Sequence, residues 1–266
     1  MKYIGITGHK GSGKKSIAVL LGNTIDLIET LKEEAVVEFD QQYKRWVDVI
    51  MDYGNELPEE LCNMKYVYID SFGDVPRSIV QMLLGIEHSD MIDDYKKEHT
   101  IVNMKDFTTM LVDDPNRYPL CTAEAVFTSR TELVDANNPM PFYNDTYLTL
   151  REFIYYVGRL VMQNYLGLNV WIKTLQANSS MFGNIFDNDN SYRIYYDTKT
   201  TSEVSYIKEK GGILIRIDRP CNLKVSKIIE NIKNCTKYDY NIKIDGDLMS
   251  IKQYIWEIAS QIVKNC

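Results

Sequence analysis

The chain has 266 residues, 45% of them hydrophobic, and a formal net charge of −7. Its length allows one large domain or two small ones, and its acidic balance argues against a broad nucleic-acid surface, which needs a basic face. No segment approaches the roughly 20 apolar residues of a membrane span, and Lys2 leads straight into an apolar run without a secretory pattern.

Five scattered cysteines, Cys62, Cys121, Cys221, Cys235 and Cys266, show no C-x-x-C or His-Cys spacing. No zinc site is expected from them, and a reduced, intracellular protein is the simplest reading. An acidic chain can still bind an anionic nucleotide, because the local field of a few basic residues decides that.

The first elements in the chain carry the most information. Tyr3, Ile4, Ile6 and Thr7 suit a short buried strand. Gly8-His9-Lys10-Gly11-Ser12-Gly13-Lys14 then fits the phosphate-binding loop pattern G-x-x-x-x-G-K. Ser16, Ile17, Ala18, Leu20 and Leu21 follow at a spacing that suits a helix on a sheet, running from Lys14 to about Glu33. A loop that wraps a phosphate turns its backbone N–H groups inward, which Gly8, Gly11 and Gly13 allow. It feeds a helix N-terminus that favours an anion, and Lys14 adds a mobile point charge for the β- and γ-phosphates. Lys15 follows Lys14, and the hydroxyl expected to hold magnesium comes one place later, at Ser16. That offset resembles the G-K-x-T loop of nucleoside monophosphate kinases. Lys15 either adds charge to the site or points to solvent. The alternative reading is a plain Gly-rich turn between strand and helix.

Val36-Val37-Glu38-Phe39 reads as a short strand, and Gln41 to Tyr53 as a helix with Tyr43, Trp46, Val47 and Ile50 inward. Trp46 reads as core rather than base-stacking. Met64 to Asp70 is a second strand, followed by a helix from about Pro76 to Leu84 that Gly85 stops. If the strands are parallel, Asp70, Asp74 and Arg77 lie on the ligand edge. Asp74 reads equally as a helix cap or a ligand; Arg77, a cation in a first helical turn, calls for an anion partner. Glu87 to Asn144, with Asp90, Asp93, Asp94, Lys96, Lys97, Glu98, Pro115, Pro119, Pro139 and Pro141, reads as a partly helical insertion, either a solvated surface or a lid.

Thr149 to Leu166 is a helix with a Thr149–Glu152 capping box and an apolar side of Phe153, Val157, Leu160, Val161 and Tyr165. Arg151 lies in its first turn, either facing a ligand at that end or simply as a solvated surface arginine. A further helix runs from about Val170 to Ala177 with Trp171 in the core, then a polar loop over Asn178 to Asn190. Tyr192 to Asp197 is a strand, Thr198 to Ser202 a turn, and Glu203 to Lys210 a helix ended by Gly211-Gly212. In the plain reading Asp197 is a turn residue and Lys199 a solvated tip. Ile213 to Ile217 and Tyr238 to Ile244 are strands, and a helix runs to about Lys264. Of the nineteen tyrosines, Tyr155-Tyr156 and Tyr195-Tyr196 read as walls of a base pocket or, more simply, as core-edge packing. The alternation of strands and helices predicts an α/β fold with a mainly parallel sheet.

Several separated blocks together resemble one family, the deoxynucleoside monophosphate kinases of tailed bacteriophages. Gly8 to Ser16 is similar to G-x-K-x-S-G-K-D-T, and Phe72-Gly73-Asp74-Val75-Pro76-Arg77 resembles F-A-D-P-L-K. Thr149-Leu150-Arg151-Glu152, with Gly158 and Trp171-Ile172, resembles T-P-R-E, a later glycine, and W-V. Asp197 to Glu203, then Ile207-Lys208 and Gly211-Gly212, resembles D-V-R-F-x-x-E and G-G; Ile244 to Leu248 is similar to N-D-G-T-L. The chain departs from the family at Lys15, where an acid is common, at Lys199 and Arg77, where arginine and lysine stand, and in lacking a glutamine near Tyr155.

The resemblance implies a P-loop NTPase three-layer fold as one domain over 1–266, with a helical insertion or lid at 87–148. It implies phosphorylation of a deoxynucleoside monophosphate by ATP with magnesium in the cytoplasm, of the host cell if viral. Gly11, Ser12, Gly13, Lys14, Lys15 and Ser16 would hold ATP, with Ser16 on the metal. Lys14, Arg77 and Arg151 would be catalytic. Asp74, Arg77, Arg151, Asp197, Lys199 and Glu203 would bind substrate. Neither nucleic acid nor membrane is expected as a partner; a homodimer is compatible. The alternatives are a non-catalytic nucleotide-binding module and a kinase of another small substrate.

Overall fold

The structure, a computed structural model, describes residues 1–9, 11–54, 57–132, 146–167, 169–175, 191–220 and 237–265. Lys10, the loop expected at 178–190, Pro139, Pro141, Cys221, Cys235 and Cys266 lie outside the described residues. In chain order the main elements are β1 (Lys2–Gly8), α1 (Lys14–Leu31), α2 (Ala35–Tyr53), β2 (Val67–Asp70), α3 (Asp74–Leu84), β3 (Thr100–Asn103), β4 (Thr109–Leu111), α4 (Ala123–Glu132), β5 (Tyr147–Thr149), α5 (Leu150–Tyr155), β6 (Tyr192–Tyr195), α6 (Thr201–Glu209), β7 (Ile213–Asp218), β8 (Tyr240–Lys243) and α7 (Lys252–Lys264). Two compact units divide them: Met1–Phe72 with Gln176–Cys266, and Gly73–Leu175.

The first unit is an α/β layer structure. Its five strands run β2-β6-β1-β7-β8, and every pairing is parallel. Side chains alternate along β1: Ile4 and Ile6 pack into the cluster that contains Ile17, Leu20, Leu21 and Ile25 of α1. Gly5 faces the other way, where an added Cβ would meet Leu214 Cδ2 at 2.9 Å and Ile207 Cγ1, on α6, at 3.3 Å. Helices therefore flank the sheet on both faces. α1 is enclosed: the sheet covers one side, and α2 and α7 contribute Phe39, Tyr43, Trp46, Ile255, Ile258 and Ile262 to the same core. Each such aliphatic side chain contributes about 1.5–3 kcal/mol by leaving water.

Two expectations change here. The strand expected at Val36–Phe39 is the first turn of α2. Ala35, Phe39, Tyr43, Trp46, Val47 and Ile50 are buried at helical spacing, while Val36 and Val37 face solvent. The apolar period of the whole stretch outweighs the local β-branched run. The α6 helix opens at Thr201 rather than Glu203, with Thr200 as N-cap; Thr200 and Glu203 form a full capping box.

The second unit holds a small antiparallel sheet, β4-β3-β5, and a core of Val80, Met91, Val102, Met104, Leu148, Leu150, Phe153, Tyr156 and Val157. The region 87–148 lies within it and carries β3 and β4 besides its helices. The helix expected over Thr149–Leu166 is α5 continued by a π-helical stretch, Tyr156–Gln163, and a last turn, Asn164–Leu166. Thr149 caps it, accepting the Glu152 N–H at 3.2 Å. The capping box is not closed, because the Glu152 carboxylate accepts the Ala123 N–H at 3.0 Å instead. Tyr165, expected on the apolar side, is 69% exposed. Gly158 sits in the π-helical stretch against α3: a Cβ there would lie 2.9 Å from Pro76 Cβ. Its carbonyl accepts the Trp171 Nε1–H at 3.1 Å, which fixes the buried indole expected in the core.

Candidate functional site

The site in the first unit starts from the sheet. β1 is central; the chain leaves it for β2 and β6 on one side, then moves to β7 and β8 on the other. Strand order reverses next to β1, and ligands of open parallel sheets collect outside the carboxyl ends of the strands at such a point. The glycine loop follows β1 at that end. Gly11 (φ +80°) and Gly13 (φ +84°) hold left-handed backbone, which any side chain would strain. Gly13 is the N-cap of α1; no side chain caps this end and no acidic residue lies in its first turn. The first N–H groups of the helix thus lack the usual side-chain acceptor, and no carboxylate of its own first turn offsets its positive end.

Lys14 folds back along the loop, donating to the Gly8 carbonyl at 3.0 Å and the His9 carbonyl at 2.6 Å. Burial, then the charge of Lys199, pushes its ammonium down to about 8, with Asp197 acting the other way. Ser12 is fully buried, and its Oγ has no hydrogen-bond partner among the described residues. An orphaned buried hydroxyl in such a loop fits an oxygen-rich ligand. Lys15 and Ser16 occupy the first turn of α1 and are partly exposed.

The turn after β6 meets this loop. Thr198 N–H donates to the Ile6 carbonyl at 3.1 Å, which ties the turn to β1. Asp197 is buried rather than a surface turn residue; its Oδ1 accepts the Phe72 N–H at 2.9 Å and its Oδ2 lies 3.5 Å from Lys199 Nζ. Glu203 is buried too, and one carboxylate oxygen accepts the N–H groups of Lys199 at 2.6 Å and Thr200 at 2.8 Å. Burial pushes its carboxyl up to about 7. Lys14, Asp197, Lys199 and Glu203 are therefore brought together, with Glu203 holding the backbone of the turn. Tyr195 is core: it is 1% exposed and stacks on Phe72 with ring centroids 4.3 Å apart.

The remaining expected residues lie in the second unit. Arg77 Nη1 bonds Asp74 Oδ1 at 2.7 Å, so these two pair with each other. Asp74 is in the first turn of α3, and Gly73 takes the cap position. Arg151 pairs with Asp94 at 2.9 Å and with Glu98 through Nε. Lys97, read only as part of a charged run, bonds Asp94 at 2.8 Å; its ammonium is lowered by burial and by the charges of Arg151 and Arg77. Arg77, Lys97 and Arg151 form one electrostatic group. Tyr155 donates to Glu124 at 3.3 Å, and Tyr156 is buried.

Phe72 and Arg219 carry no site role in the sequence patterns. Arg219 directly follows β7, at the carboxyl edge of the sheet, a position that becomes legible once the strand order is known. Among the described residues, no group of three or more His, Cys, Asp or Glu side chains could hold a metal. No described helix is long and apolar enough to cross a membrane. No known family's sequence profile matches the chain, and no curated protein matches it.

Proposed function

We propose that the chain is a P-loop kinase that transfers the γ-phosphoryl group of ATP to a deoxynucleoside monophosphate. The observation that carries this reading is the left-handed glycine pair at the end of the central strand, opening an uncapped α1 with Lys14 across the loop. Main-chain N–H groups and a positive helix end suit a phosphate chain. When a phosphate oxygen approaches, Lys14 exchanges the Gly8 and His9 carbonyls for a stronger, charge-assisted partner. Lys199 adds a second positive charge beside it, and Asp197, fixed by the Phe72 N–H, orients Lys199. Ser16 would hold magnesium, which supplies charge neutralisation along the phosphates. Transfer of this kind needs positioning and electrostatic stabilisation; the acceptor phosphate is already anionic, so no general base is required. Arg77 and Arg151 would bind the acceptor.

A second reading, a nucleotide-binding module without transfer, is favoured by the carboxylates that already engage Arg151 and Arg77. One assay separates the two: ADP formation with ATP, magnesium and each of the four deoxynucleoside monophosphates. The kinase reading expects ADP with at least one acceptor and a loss of at least about a hundredfold in Lys14→Ala. ATP binding with no turnover for any acceptor selects the module.

A further inference from the structure

Beyond the residues assigned above, Arg219 stands at the glycine loop in an unusual electrostatic setting. A Cβ placed on Gly13 would lie 3.9 Å from Arg219 Nη1, so the guanidinium lies against the cap residue of α1. Its main chain is tied to the same loop, because His9 Nε2 donates to the Arg219 carbonyl at 2.6 Å. The carboxylate next to it in sequence, Asp218, is taken by Arg216, whose Nε and Nη2 bond Oδ1 at 2.9 and 2.6 Å. Arg219 is exposed, and among the described residues its guanidinium has no carboxylate or hydrogen-bond partner. The loop thus has Arg219 at its cap and Lys14 and Lys15 in the first turn of a helix that carries no acidic residue in that turn. Like charges gathered at a positive helix end repel one another, and an anion relieves that cost. Beside them Ser12 Oγ is buried and unpartnered among the described residues.

We propose that Arg219 is a further ligand of the phosphate chain in this loop, gripping phosphate oxygens with its planar fork while His9 holds its backbone in place. This rests on the reading of the glycine loop as a phosphate site, and it adds a residue from the far end of β7 to that site. An arginine is suited to the task because two parallel N–H donors match two oxygens of one phosphate, which a lysine cannot do.

The test is calorimetric titration of wild type, Arg219→Ala, Arg219→Lys and Lys14→Ala with inorganic tripolyphosphate and with ATP. Tripolyphosphate has no base or sugar, so it isolates the phosphate contact. The expected result is a Kd for tripolyphosphate raised about tenfold in Arg219→Ala, an equal factor for ATP, and partial recovery in Arg219→Lys. Tripolyphosphate binding unchanged in Arg219→Ala but lost in Lys14→Ala overturns the role of Arg219 and leaves the loop assignment standing. A loss seen with ATP alone also overturns it, since the contact is then to base or sugar. Wild type that binds neither compound ends both assignments. The Arg219→Lys variant, with its exposed position and retained charge, guards against a folding artefact.

Discussion

The cations of the glycine loop and those around Arg151 are partnered differently. In the second, Arg77 is paired with Asp74, Lys97 with Asp94, and Arg151 with both Asp94 and Glu98. In the first, Lys14 makes its hydrogen bonds to loop carbonyls, and Lys199 reaches Asp197 only at 3.5 Å. A cation satisfied by carboxylates must give up those partners before it meets an anion; a cation resting on neutral carbonyls gives up much less. Of the two, the glycine loop is the region that an anion would disturb less. The paired group would be recruited by one only at the expense of its ion pairs.

The largest effects should expose that contrast. Lys14→Ala should abolish most ATP affinity and lower turnover by at least about a hundredfold, whereas Arg151→Ala should leave ATP affinity unchanged and raise the KM of the acceptor about tenfold. Arg151 and its partners are each at least a third exposed, so its removal should shift stability by less than about 1 kcal/mol. Titration calorimetry reads the affinity, steady-state kinetics the turnover and KM, and a melting curve the stability. An equal loss of ATP affinity in both variants would erase the distinction.

Packing in the second unit offers the next test. Gly158→Ala places a methyl group 2.9 Å from Pro76 Cβ, and a proline ring in a helix yields little. About 1–3 kcal/mol of destabilisation is expected from such overpacking, read as a lowered melting temperature with ATP affinity retained.

The smallest effect is a pH dependence. Lys14 has an ammonium pushed down to about 8 by burial, and a bound polyanion should raise it again. Binding then takes up a proton above pH 8, so affinity for tripolyphosphate should fall by up to tenfold per pH unit from there. The same depression makes Lys14 cost stability below pH 8, a cost relieved as pH rises from 8 towards the unfolded value of 10.5. Lys14→Ala should flatten both profiles.

Much of the first unit was legible in the sequence. β1, α1, β7 and α7 combine strong local patterns with the tertiary burial that those patterns anticipate, and the loop glycines are spelled out by their conformation. Where local and global signals disagreed, the sequence misled: Val36 and Val37 favour a strand locally, but the helix period of Ala35, Phe39 and Tyr43 prevails. The Thr149–Glu152 pattern pointed to a closed capping box, yet Glu152 serves a neighbour 29 positions away, Ala123. Long-range pairings of this kind leave no mark in local spacing. The burial of Asp197 and the position of Arg219 depend on strand order, which a single chain does not spell out.

Titration of wild type and Lys14→Ala with ATP and magnesium decides whether the glycine loop is a cage for a phosphate chain. Such a cage gives saturable one-to-one binding to wild type that is weakened at least about tenfold in the variant. Identical isotherms for the two proteins, or none for either, would contradict it.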